Sequence, residues 1–148
     1  MRRSLPAATA GTPAWCGALL LSVVAVLLLG GAAQASAAVR VTFVQGEQHV
    51  SVDRPGTGVE SALAALFAGP TSAERARQIR TYIRPATPIL SVTQAGGVVT
   101  VDLGSRFVTG ATADDILARL SQVVETGTAV PGVASVQVLI AGGGSRSG

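Results

Sequence analysis

Lysine is absent from the 148 residues, so all 11 basic side chains are arginines. The chain has one cysteine, Cys16, close to its amino terminus. Removal of a leader that contains it would leave no thiol for a disulfide scaffold, a thiolate metal site or a nucleophile. His49 is the single histidine, whereas a catalytic zinc commonly takes two or three His or Cys ligands. Beyond residue 37 the aromatic residues are Phe43, Phe67, Tyr82 and Phe107, a thin supply for stacking on sugars or bases. Setting aside Arg2 and Arg3, nine arginines face eight acids. That near-balance argues against a nucleic-acid partner, which demands a larger basic excess.

What is present begins with an export signal. Arg2 and Arg3 precede a mostly aliphatic run of 12 residues, Ala18 to Leu29, followed by Gly30, Gly31 and two A-x-A sites ending at Ala35 and Ala37. This is the order of a secretory signal peptide, and the run is shorter than the roughly 20 residues of a comfortable bilayer span. Residues 1–37 are therefore expected to be a leader, with export to an extracellular, periplasmic or cell-envelope location. The alternative is an uncleaved membrane anchor. Cys16 precedes the apolar run, unlike a lipid-modified cysteine, and reads as a neutral leader residue. The remaining residues suffice for one domain with one core.

Val39, Val41 and Phe43 alternate with Arg40 and Thr42, the period of a half-buried strand. Gly46 to Gly58 is polar and reads as a loop, with a short extended piece at His49 to Val52. Thr57 and Glu60 have capping-box spacing, and Val59, Leu63, Leu66 and Phe67 form a helical stripe. Gly69-Pro70 stops that helix, and Thr71-x-x-Glu74 opens a shorter one expected to reach about Arg80. Ile89 to Thr93 and Val98 to Leu103 are strands joined by a Gly96-Gly97 hairpin tip. Thr112-x-x-Asp115 caps a second amphipathic helix carrying Ile116, Leu120, Val123 and Val124, expected to stop near Gly127. Ala134 to Ile140 alternates as a last strand, and the glycine-rich end, residues 143–148, should be disordered.

The predicted order is β-α-β-β-α-β, an α+β two-layer sandwich with helices on one face of a mainly antiparallel sheet. The other face would show Arg40, Thr42, Ser91, Thr93, Thr100, Asp102, Ser135 and Gln137. Two right-handed crossovers would make the sheet ferredoxin-like.

Residues 38–142 resemble the GerMN domain, named for the sporulation and spore-germination protein GerM. The resemblance rests on Val41-Thr42-Phe43-Val44, Leu66-Phe67-Ala68-Gly69-Pro70-Thr71 with Glu74, and Leu90-Ser91-Val92. It continues through Val99-Thr100-Val101-Asp102-Leu103, Phe107, Thr126-Gly127-Thr128, Pro131-Gly132-Val133 and Val136-Gln137-Val138-Leu139-Ile140. Gly127 departs from the aliphatic residue usual in the family, and Ala141 replaces an acid. The resemblance implies a non-enzymatic module of the bacterial envelope that meets envelope proteins, self-association included, and is similar to ring-building modules of secretion systems.

Candidate chemistry is sparse. His49 and Asp53 lack a G-x-S-x-G elbow for a serine triad, and His49 reads as a solvated loop residue. Asp102 with Asp114 or Asp115 could form a carboxylate pair, but the latter two complement a helix dipole. The glycine-rich segments carry no Walker lysine. No catalytic, metal or cofactor-binding residue is assigned, and a small hydrolase is the weakest of three functional classes. Arg77, Arg80 and Arg84 recur at i, i+3 and i+7. If the short helix continues that far, they make a basic stripe for an anionic wall polymer or lipid surface.

Overall fold

The structure, a computed structural model, describes residues 36–141. The predicted leader lies almost entirely outside them, as does the glycine-rich end. β1 (Ala38–Gln45) and β2 (Gln48–Pro55) form a hairpin, followed by α1 (Gly58–Ala68) and α2 (Ser72–Ala76). The two-residue β3 (Ile79–Arg80) leads to the hairpin of β4 (Ile89–Ala95) and β5 (Val98–Leu103). A 3-10 turn over Ser105–Phe107, α3 (Ala113–Thr128) and β6 (Ser135–Ile140) complete the domain.

The fold is α+β with mostly antiparallel strands, but these make two three-stranded sheets, ordered β2-β1-β3 and β4-β5-β6. In a ferredoxin-like sheet β1 would separate β5 from β6. Here β5 and β6 pair directly and in parallel, Val99 against Val136 and Val101 against Val138. The reason lies at the second edge of β1. β3 pairs only with Val44 and Gln45, and beyond it α3 satisfies the edge with side chains. The Thr42 N–H donates to Thr126 Oγ1 at 3.0 Å, and the Thr42 C=O accepts from Gln122 Nε2 at 3.1 Å. No strand is needed there.

Gly46 to Gly58 is thus mostly strand: the extended piece expected at His49 to Val52 is present and is longer, Gln48–Pro55. Val50 and Val52 lie opposite Phe43 and Val41. The other hairpin tip is as expected: Gly96 and Gly97 have φ of +56° and +81°, the two positive angles of a type I′ turn.

One cluster of buried side chains serves both sheets. Val41 and Phe43 from β1, Leu63 and Leu66 from α1, Val99, Val101 and Leu103 from β5, Phe107 and Val123 belong to it. Phe67 stacks on Phe107 with centroids 6.4 Å apart. Ser91, Thr93, Thr100, Asp102, Ser135 and Gln137 share the outer face of the β4-β5-β6 sheet, as the alternation implied. Arg40 is exposed on β1, but Thr42 is buried by α3.

Candidate functional site

The capping boxes of Thr71 with Glu74 and Thr112 with Asp115 both form. Thr57 makes no side-chain cap to α1, and Glu60 does not close a box with it. Asp115 accepts the Thr112 N–H, which holds its carboxyl below the usual range. That role places Asp115 at a helix start and Asp102 on a sheet face, on separate elements. His49 is exposed, as expected, but sits on a strand and not in a loop. Its Nδ1 lies 2.6 Å from Glu125 Oε1, joining β2 to α3 with side chains 40% and 43% exposed. Asp53 on β2 is 3.9 Å from the Arg40 guanidinium. Among the described residues no group of three or more His, Cys, Asp or Glu could hold a metal ion.

The basic stripe does not form as a helical face. α2 ends at Ala76, Arg77 is its C-cap, and Gln78 at φ +65° turns the chain into β3. The three arginines consequently lie on a cap, a strand and a loop. Arg84 Nη1 donates to the Thr109 carbonyl at 2.7 Å, across to the segment before α3. Arg80 donates to Gln78 Oε1 at 3.0 Å. Beside it opens a cleft of about 430 Å³ lined by Val44, Gly46, Gln78, Arg80, Thr81 and Tyr82. A second cleft, about 420 Å³, runs between the start of β1, the Gly56–Gly58 turn and Val130-Pro131.

Two charged arrangements escaped the sequence patterns. Arg54 on β2 grips Glu74 with both guanidinium ends, at 2.8 and 2.5 Å, while its Cζ sits 5.7 Å from the centre of the Phe43 ring. The side chains are only 18% and 13% exposed. Paired to Arg54 and bonded to Thr71, the Glu74 carboxyl is lowered to about 2. The second is on α3, where Arg119, Gln122 and Thr126 are buried beside Val123 and Gly127. Arg119 donates to the carbonyls of Tyr82 and Phe107. Gln122 Oε1 accepts the Tyr82 N–H at 2.8 Å and the Thr81 hydroxyl at 3.2 Å. These three polar residues recur at i, i+3 and i+7, a spacing that sequence alone assigns equally to a solvated face.

The bonds made by α3 are structural, tying a helix to a strand edge and to the segment after β3. Residues 30–144 match the family model described as Germane: Sporulation and spore germination. The chain belongs to the Germane family.

The GerMN likeness extends to solved structures. The first GerMN domain of the sporulation protein GerM from Bacillus subtilis matches with a TM-score of 0.58 at 18% identity, over 72% of this chain and 84% of that one. The tandem GerMN domains of the same protein match at 0.54 and 19%, over 76% of this chain and 42% of that one. A candidate lipoprotein of Clostridium perfringens matches at 0.50 and 16%, covering 71% and 73%. At such identities the likeness is one of fold. No curated protein matches the sequence. Among the described residues of this GerMN domain, no helix is long and apolar enough to cross a membrane.

Proposed function

We propose that this GerMN domain is a non-catalytic interaction module exported to the bacterial cell envelope, where it meets envelope proteins. Membership of the Germane family carries the proposal, and the fold shared with a domain of the sporulation protein GerM supports it. The fold likeness to a candidate lipoprotein agrees with an envelope location. Side-chain chemistry points the same way. Glu74 is held by Arg54 and Thr71, Asp115 caps α3, and His49 is bound to Glu125. Carboxylates so engaged, Glu74 in an ion pair and Asp115 in a cap, serve the fold, and His49 has no serine elbow in the sequence to act on. The outer edges of β4 and β6 are sheet edges on which a second copy or another chain could add a strand.

Crosslinking of the native chain in intact envelopes, followed by mass spectrometry, tests this directly. Recurrent crosslinks to particular envelope proteins, or to a second copy of the chain, are expected. A chain found in the cytosol, or a hydrolytic turnover lost on His49→Ala, would overturn the proposal. Mass measurement of the exported form reads the leader cleavage expected after Ala35 or Ala37.

A further inference from the structure

We propose that the cleft beside Arg80 and Tyr82 binds a phosphate group of a polyol-phosphate chain. The segment from Arg75 to Arg84 holds four arginines and no acid. Arg75 and Arg84 donate to the carbonyls of Pro70 and Thr109. Those bonds fix the two side chains without neutralising their charge. Among the described residues Arg80 donates to the amide oxygen of Gln78, a neutral partner that leaves its charge in place, and both residues line the cleft. A planar guanidinium matches a phosphate with two parallel hydrogen bonds.

The rest of the lining suits a polyol. Val44 is apolar, and Tyr82, 43% exposed, offers a ring face and a hydroxyl. About 430 Å³ lies within the range of small-ligand clefts. An acidic peptide would find no main-chain pairing at Tyr82, whose N–H is bound to Gln122 and whose C=O is bound to Arg119. Glu47, next to Gly46 at the hairpin tip, is outside the lining and stands as the opposing charge nearest in sequence to Gly46.

The test is calorimetric titration of the full chain with a synthetic glycerol-phosphate oligomer, at low and at physiological salt. Binding that weakens with salt is expected, with affinity falling about tenfold or more in Arg80→Gln and severalfold in Tyr82→Ala. Arg84→Gln removes the same charge away from the lining and should change affinity less than about twofold. Circular dichroism confirms that each variant is folded. Equal losses in Arg80→Gln and Arg84→Gln would overturn the cleft in favour of diffuse charge. Absent binding, tighter binding to polyglutamate, or binding only to phosphatidylglycerol vesicles would overturn the ligand class. Envelope-protein crosslinks do not depend on this cleft, so the two proposals fail separately.

Discussion

Gln122 does at one position what strands usually do along a whole edge. It satisfies the carbonyl of Thr42 and the N–H of Tyr82, two backbone groups 40 residues apart in sequence. A leucine there has similar volume and no polar atoms. Each orphaned buried group costs about 1–3 kcal/mol, so losing both partners in Gln122→Leu should lower stability by roughly 2–6 kcal/mol in urea unfolding. A loss below about 0.5 kcal/mol would mean that water reaches both groups. Arg54 and Glu74 form the second residue-scale feature. The Glu74 carboxyl titrates from an ordinary 4.5 in the unfolded chain to about 2 when folded. A depressed carboxylate stabilises above its unfolded pKa and loses that contribution as pH falls through the folded value. After solvent screening, about 1–2 kcal/mol should disappear between roughly pH 4.5 and 2. Glu74→Gln should flatten the stability profile in that window, and an unchanged slope would contradict the pairing.

At the scale of elements, α3 shows why a glycine can sit inside a helix. The helix stops near Gly127 as expected, at Thr128, and Gly127 itself is helical and buried against β6. A Cβ there would lie 2.6 Å from Val136 Cγ2. Alanine gains about 1 kcal/mol of helix propensity, yet overpacking costs about 1–3 kcal/mol and the β-branched neighbour is stiff. Gly127→Ala should therefore be destabilising by about 1 kcal/mol, and adding Val136→Ala should recover much of the loss. A stabilised single variant would show that β6 yields freely. The helices capped by Thr71 and Thr112, the stop at Gly69-Pro70 and the Gly96-Gly97 hairpin were legible because local chemistry decides them. β2 was legible only in its His49 to Val52 piece, since its partner strand lies across a turn and half its residues are polar. The buried face of α3 was legible at Leu120 and Val123 but not at Arg119, Gln122 and Thr126, which hydrogen bonds rather than apolarity turn inward. Of the candidate site, the sequence showed the arginine run but not that Gly46 would share a cleft with Arg80 and Tyr82, a closeness that follows from β3 pairing with Val44 and Gln45.

Two separate sheets raise the question of whether the molecule unfolds in one step or two. Backbone pairing divides it, but its buried side chains do not. Phe43 of the first sheet and Val101 of the second belong to one cluster with Leu63, Phe107 and Val123. α3 reinforces this, because it bonds to β1 through Gln122 and Thr126 while packing on β6. Losing either sheet would expose part of the same core and strand the polar groups that α3 satisfies, an intermediate with little to stabilise it. Single-step unfolding is therefore expected, as in most domains of this size. Far-ultraviolet dichroism should coincide with Tyr82 fluorescence, and amide exchange in β1 and β5 should report the same opening energy. Earlier exchange of the β4-β5-β6 sheet would show instead that its pairing, and not the shared core, sets the cooperative unit.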